Sequence, residues 1–283
     1  MRPERNASGR RVYTEQDVQR LAMLGELCSL GHTIGQIANW SDQQLRENLK
    51  KLGKIEQKAA SGNSAVGQHT IGTKESLDNL LLALKHYKLD VISHEFNKLK
   101  LLLSPKQLAL EILNPLLKEV GEAVHRGELT LSQEQALMAL TRFHIGSVLY
   151  RQVEHKSKKP YELLLTSPEG DPNEMGLLLS ALLCSHYNLN FYYLGPNLPL
   201  SSVVDTVSSV PITDVIIGAG PRLHTKGKKY LDQYLELLLK QLGPQQNVIL
   251  RGISPEDTLK YSQDKRFYHA KTLTDLDNHL KNL

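Results

Sequence analysis

The chain has 283 residues, of which 40% are hydrophobic and 23% are charged, so its composition is that of a folded globular protein rather than a disordered one. Its formal net charge of +4 permits an anionic partner without requiring one. The two distant cysteines, the lack of an apolar run of about 18 residues and the lack of an apolar signal core at the amino terminus predict a reducing, cytoplasmic setting and no membrane partner.

Basic residues crowd the amino terminus. The first thirteen residues hold four arginines, a central glycine and a tyrosine, namely Arg2, Arg5, Gly9, Arg10, Arg11 and Tyr13. Thr14 and Asp17 then predict the start of a helix over residues 15–30. A short helix is predicted over 34–38, and Ser41-Asp42 predicts the cap of another helix over 43–52.

This order resembles the second half of a MerR-type DNA-binding domain, in which an arginine-bearing hairpin, the wing, grips DNA phosphates. The matching residues are Arg2-Pro3, Gly9-x-Arg11-x-Tyr13, the Thr-Glu-Gln-Asp-Val helix start and Gly31-x-Thr33-Ile34-x-x-Ile37. The resemblance implies that DNA is contacted by Arg2, Arg5, Arg10, Arg11 and Tyr13.

A domain of this type also has a helix-turn-helix ahead of the wing, whose second helix enters the major groove. No counterpart precedes the wing here. Either the chain is truncated at its start or the protein lacks its recognition helix, and we expect truncation. The alternative for the arginines is a solvated terminus without a binding role.

Residues 53–74 separate this part from a helical region. They hold four glycines and no apolar period, which predicts a linker. Residues 75–155 carry four helical patterns separated by short breaks, which predict an up-down four-helix bundle. The first helix is expected to start near Ser76. The other three are expected over Asp90–Leu103, Pro105–Ala123 and Ser132–Tyr150.

Residues 160–283 alternate strand and helix patterns. The predicted strands are Glu162–Thr166, Asn190–Leu194, Val215–Ala219, Asn247–Arg251 and Phe267–Ala270. The predicted helices are Glu174–Tyr187, Leu200–Val207, Lys226–Gln241, Pro255–Tyr261 and Thr274–Asn282. Five such repeats predict a Rossmann-like α/β domain with a parallel, five-stranded sheet in flavodoxin-like order. The chain is therefore predicted to be multidomain: a partial, all-α winged helix (1–52), a linker, a four-helix bundle (75–155) and the α/β domain (160–283).

The loop after the first of these strands, residues 168–176, is where a fold of this kind holds its ligand. Asp171-Pro-Asn173-Glu-Met-Gly176 resembles the Asp-x-His-x-x-Gly loop of cobalamin-binding domains. In that family the His coordinates cobalt from below and the Asp orients the His. The resemblance implies a cofactor site at Asp171, Asn173 and Gly176, yet the ligand position holds an amide.

Other cobalamin contacts of that family are also altered. The bundle resembles that of light-responsive repressors of the CarH and LitR kind, in which a Trp and a Glu-His pair cover the upper face of the cofactor. Here the Trp position is Val124 and the pair is Glu134-Gln135, where Glu134 is equally explained as a helix cap. After the third strand, Gly218-Ala-Gly220 replaces a Ser-x-Leu motif and is expected to form a tight turn rather than a phosphate loop. After the second strand, Tyr193-Leu194-Gly195-Pro-Asn-Leu-Pro199 resembles the family's Tyr-Leu-Gly-x-x-x-Pro turn. After the fourth strand, Arg251-Gly252 replaces Gly-Gly, and a side chain as large as Arg251 would fill the slot in which only glycine lets the cofactor approach.

The two resemblances together imply a MerR-type transcriptional regulator that is not an enzyme, with DNA as partner and a homo-oligomeric state. Its cobalamin-type module is expected to hold no cofactor, with cobalamin as the alternative if the degenerate site still binds it. The module is expected to mediate oligomerisation or to sense another signal. The first alternative is a protein-binding partner or antirepressor without DNA recognition. The second is a cobalamin-binding photoreceptor or corrinoid protein. No nucleophile–base arrangement, phosphate loop or metal motif was found in the sequence.

Overall fold

The chain divides into two compact units, residues 1–70 and residues 71–283. The computed structural model describes residues 4–5, 11–12, 14, 17, 20–21, 23–25, 27, 34–45, 73–153, 159–220, 228–252, 261 and 263–283. Within these ranges, no helix combines the length and the apolar character needed to cross a membrane.

The first unit begins with a short hairpin. Strands β1 (Glu4–Arg5) and β2 (Arg11–Val12) pair antiparallel, with Arg5 opposite Arg11. This is the hairpin expected of a wing. Of the other predicted DNA-contacting residues, Arg2, Arg10 and Tyr13 lie outside the described residues.

Helices complete this unit. Each position described between 17 and 27 is helical, and helix α1 spans Ile34–Ile37. Thr14 and Asp17 exchange backbone and side-chain hydrogen bonds of 3.0 and 3.2 Å, which confirms the predicted cap. These bonds also hold the pKa of the Asp17 carboxyl below its usual value. The small core of the unit contains Leu24, Leu27, Ile37 and Leu45.

The second unit starts with the predicted helical region. Its helices are α2 (Thr73–Lys85), α3 (Leu89–Leu102), α4 (Pro105–Gln107), α5 (Asn114–His125) and α6 (Leu131–Val153). A π-helical turn, Leu108–Leu113, joins α4 to α5 without a break. In this turn the Asn114 N–H bonds to the Ala109 carbonyl, five residues back. Pro115 follows and has no N–H to donate. The π-helical turn therefore ends at a position where an ordinary α-helix would also lack a backbone hydrogen bond.

The start of α6 differs from its prediction. The capping box is formed by Thr130 and Gln133, with the Thr130 N–H donating to Gln133 Oε1 at 2.7 Å and the Gln133 N–H donating to Thr130 Oγ1 at 3.3 Å. Glu134 is therefore not the capping residue. Gln133 also donates from Nε2 to the Leu84 and Lys85 carbonyls at the end of α2. Glu134, the next residue of the helix, does not make these two bonds.

The sheet of the second unit has the predicted topology. Its strands are β3 (Glu162–Pro168), β4 (Asn190–Leu198), β5 (Asp214–Ala219), β6 (Asn247–Gly252) and β7 (Phe267–Ala270). They are all parallel in the order β4-β3-β5-β6-β7, which confirms the flavodoxin-like arrangement. Both faces are covered, since Ile216 packs into one core cluster and Val215 and Ile217 pack into the other.

Strand β4 continues four residues beyond its predicted end, through Gly195-Pro196. It is an edge strand, so one side of its backbone needs no sheet partner and a proline there costs no ladder bond. Its register with β3 shifts twice near Thr166, where Gly195 adopts a φ of 79° and its carbonyl accepts from Thr166 Oγ1 at 2.9 Å. The predicted turn is therefore an irregular stretch of strand.

Four helices flank the sheet in the described part of the unit: α7 (Met175–His186), α8 (Leu200–Ser209), α9 (Lys228–Gln241) and α10 (Leu273–Leu280). The predicted helix over 255–261 falls almost wholly outside the described residues. Helix α7 is buried on all sides, because the sheet lies on one side of it and the bundle packs against it on the other. The bundle, α7 and α10 thus share a single hydrophobic core.

Candidate functional site

The loop between β3 and α7 is fixed by Asp171, whose side chain is fully buried at the carboxyl edge of the sheet. Its Oδ1 accepts from the Asn173 N–H at 3.0 Å, and its Oδ2 accepts from the Gly220 N–H at 2.5 Å. Its own carbonyl accepts from Ser167 Oγ at 2.8 Å. Asp171 thus ties its own loop to the end of β5 and uses both carboxylate oxygens to do so.

Asn173, at the position of the family's cobalt ligand, lies over the chain that follows β5. A methyl group placed on Gly220 would lie 2.7 Å from Asn173 Nδ2 and 2.8 Å from its Cβ, so the two residues are in close contact. Two residues earlier, within β5, a methyl group placed on Gly218 would lie 2.8 Å from Leu177 Cδ2. Asn173 and Leu177 therefore lie directly against the two glycines at and just after the end of β5.

Arg251 occupies the neighbouring position at the end of β6. Its guanidinium lies against Gly176 in the first turn of α7, where a methyl group would overlap Nη1. Enclosure by protein lowers the pKa of Arg251 to about 10, because burial disfavours the charged form. Gly252 follows with a φ of 105°, a conformation that side-chain-bearing residues rarely adopt.

The loop is also held from the bundle. Arg142 of α6 donates from Nε to Glu174 Oε2 at 2.5 Å, and the Tyr193 hydroxyl donates to Glu174 Oε1 at 3.2 Å. Burial and then the adjacent Glu174 carboxylate raise the pKa of Tyr193 above its usual value. Glu174, the residue after Asn173, is therefore held by hydrogen bonds from helix α6 and from the edge strand β4.

The predicted bundle residues lie on two helices. Val124 is partly buried in α5 and packs against the shared core. Glu134 is half-buried and Gln135 is exposed on α6. Arg142 stands seven residues after Gln135 and therefore on the same face of α6, two turns along.

The sequence reasoning missed Arg142 and Tyr193 as site residues. The seven-residue spacing from Gln135 could have indicated Arg142, since both positions share a helix face. Tyr193 was noted only as part of a turn motif, and nothing in its spacing revealed its contact with Glu174. Arg251 was interpreted only as an obstacle to a cofactor.

The described residues contain no group of three or more His, Cys, Asp or Glu side chains that could hold a metal ion. Cys184 is fully buried in α7, and burial raises the pKa of its thiol, so it is poorly suited to be a nucleophile. The arrangement at the carboxyl edge includes hydrogen-bond donors and the guanidinium of Arg251, which can bind a ligand.

Comparison with known proteins finds matches for the amino-terminal residues and for most of the chain. Residues 1–44 match the family model described as MerR HTH family regulatory protein. The chain is 30% identical over 197 residues to the HTH-type transcriptional repressor CarH of Myxococcus xanthus. That match covers 70% of this chain, and the chain spans 62% of the length of that relative.

A solved structure gives the fold of the second unit. The monomethylamine corrinoid protein of Methanosarcina barkeri superposes with a TM-score of 0.56, at 14% sequence identity, over 75% of this chain and 99% of that one. The chain thus joins an amino-terminal segment that matches the MerR model to a second unit that resembles this corrinoid protein in fold.

Proposed function

We propose that this chain is a transcriptional regulator of the MerR type that binds DNA through its first unit and has no catalytic activity. The observation that carries the proposal is the MerR match over residues 1–44 in a chain that is 30% identical to a protein named as a transcriptional repressor. The hairpin that pairs Arg5 with Arg11 supports it, because arginines on a wing provide phosphate contacts.

The second unit, in this proposal, binds no cobalamin and serves oligomerisation or responds to another signal. Three contacts support this. An amide such as that of Asn173 is a much weaker ligand for cobalt than an imidazole. Asn173 and Leu177 lie against Gly220 and Gly218. Arg251, at a position where the family that the chain resembles has glycine, lies against Gly176. A solution mass of one chain by light scattering would remove the oligomerisation role.

The DNA-binding role is tested by salt titration. We expect the double variant Arg5→Ala/Arg11→Ala to bind DNA from upstream of its own gene more weakly than wild type. The slope of log K against log salt should fall in magnitude by about 1.8, since each phosphate neutralised contributes roughly 0.9. Anisotropy of labelled DNA at several salt concentrations measures both quantities.

The matched control is Arg126→Ala, which removes an exposed arginine of the bundle that is paired with Glu119 and Glu128. It should leave both the affinity and the slope unchanged. The loss for the wing variant should be similar on scrambled DNA, because phosphate contacts position the protein without reading bases. An unchanged salt slope in the double variant would contradict the assignment of the wing.

The cofactor proposal is tested by mixing the protein with methylcobalamin or adenosylcobalamin and desalting it. We expect the protein to elute colourless, with a corrinoid protein of the same fold as the positive control. Asn173→His alone should remain colourless, since Arg251 and Leu177 still fill the site. Elution of wild type with about one equivalent of corrinoid, seen in the visible spectrum, would overturn the proposal and favour a corrinoid-binding role.

A further inference from the structure

The guanidinium of Arg251 lies at the carboxyl edge of the sheet, where the residues that the structure describes give it no counterion. Although part of the residue reaches the surface, the charged group is surrounded by protein atoms, and burial is the sole cause of its lowered pKa. Among the residues that the structure describes, none forms a hydrogen bond or ion pair with it. A buried cation without a partner is costly, so such groups are normally paired.

Two acidic side chains of the loop before α7 are already engaged. Both oxygens of Asp171 accept backbone N–H groups. Both oxygens of Glu174 are bound as well, one by Arg142 and the other by Tyr193. Neither carboxylate is therefore free to neutralise Arg251 without giving up the bonds that hold the loop.

The surroundings of Arg251 add further positive potential. Its Nη1 lies against Gly176 in the first turn of α7. Helix α7 is twelve residues long, and its N-cap residue, Glu174, makes no side-chain capping bond. The first N–H groups of a helix have no partner within the helix, and together they attract negative charge. Two independent features, a guanidinium with no partner among the described residues and a helix start with no side-chain cap, thus lie at the same place.

We infer that Arg251 and the first turn of α7 form a binding site for a small oxyanion, either a phosphate group or a carboxylate. A guanidinium can hold either group through two parallel hydrogen bonds, while the N–H groups at the start of α7 donate to the remaining oxygens. The site lies at the carboxyl ends of the strands, where folds of this class bind ligands. It would supply the signal of the proposed sensor, and in this respect it rests on the proposed function.

The test compares thermal unfolding of wild type, Arg251→Met and Arg251→Lys in Tris buffer with chloride as the sole anion, then with added inorganic phosphate or acetate. In chloride, Arg251→Met should unfold at a higher temperature than wild type, because the variant no longer buries an unpaired charge. Phosphate or acetate should raise the midpoint of wild type, since a ligand that binds the folded state stabilises it. Neither anion should change the unfolding midpoint of Arg251→Met.

Titration calorimetry with the effective anion should show a Kd at least about tenfold weaker for Arg251→Met than for wild type, the loss expected for a charge-assisted bond. The Kd of Arg251→Lys should lie between those two values, because lysine keeps the charge but loses the two parallel N–H donors of the guanidinium. A response to phosphate but not acetate identifies a phosphate ligand, and the reverse identifies a carboxylate. The control is Arg266→Met, which removes an arginine paired with Asp264 before β7 and should respond to the anion as wild type does.

The inference fails if neither anion shifts wild type, or if wild type and Arg251→Met respond equally. It also fails if Arg251→Met is the less stable protein in chloride, since the guanidinium would then be a structural group. The wing titration measures DNA binding separately. Loss of the anion effect with an intact wing effect would remove this inference and leave the proposed regulator standing.

Discussion

Replacing Gly252 by alanine is expected to lower the free energy of unfolding by about 3 kcal/mol, which combines the cost of a left-handed backbone with that of overpacking. Gly252 ends β6 with a φ of 105°, and an added methyl group would overlap the Ala219 carbonyl oxygen of β5. That oxygen belongs to the backbone of the neighbouring strand, so it cannot move aside without disturbing the β5–β6 ladder. Urea unfolding measures the change, with the m-value as the check on two-state behaviour.

Gly121→Ala is the matched control. Gly121 lies inside α5, and a methyl group there would meet no atom within 4 Å. Alanine is the better helix former, so this variant should gain about 0.5–1 kcal/mol. A Gly252→Ala protein within about 1 kcal/mol of wild type, less than the expected overpacking cost, would mean that the end of β6 is not held as the structure shows.

Replacing Lys106 by methionine is expected to cost about 2–3 kcal/mol, slightly below the usual cost of breaking a buried ion pair because Lys106 is only partly buried. Lys106 Nζ lies 2.6 Å from Asp277 Oδ2 and 3.1 Å from the Tyr187 hydroxyl, which in turn donates to Asp277 Oδ1 at 2.8 Å. The Asp277 side chain is 5% exposed. Without Lys106, a buried carboxylate would retain only Tyr187 as a partner.

A double-mutant cycle isolates this interaction. Lys106→Met/Asp277→Leu should lose less stability than the sum of the two single variants, because it removes the buried charge together with its partner. Lys118→Met is the control, since Lys118 stands 3.8 Å from Glu122 in a pair whose side chains are 78% and 51% exposed, and such pairs contribute almost nothing. Additive losses in the cycle would show that Lys106 and Asp277 act independently.

Much of the fold could be predicted from the sequence because each element carries its own signal. Continuous apolar runs such as Leu163–Leu165 and Val215–Ile217 are typical of strands buried on both faces. The Thr14 cap was likewise readable from side chains three residues apart. The π-helical turn could not be predicted, since Leu108–Leu113 has the composition of an ordinary helix and differs only in how its backbone meets Pro115.

The candidate site was predicted less completely, because its contacts join residues distant in the chain. Asp171 and Asn173 were found through a motif, whereas the bond from Arg142 to Glu174 spans 32 positions and depends on how α6 packs against the module. Likewise, Arg251 was identified as too large for a cofactor slot. That its charge has no partner among the described residues could be seen only once Asp171 and Glu174 were known to be engaged elsewhere.

The shared core of the second unit has an evolutionary consequence. Phe96 and Leu116 of the bundle, Leu179 of α7 and Leu276 of α10 belong to one cluster, whereas the site lies at the carboxyl edge of the sheet. The unit therefore has a core that is separate from this edge, and an occupant of the edge would add stability to a scaffold that the core already provides. Side chains at the edge, such as Asn173, can therefore vary in sequence while the core that holds the fold stays the same.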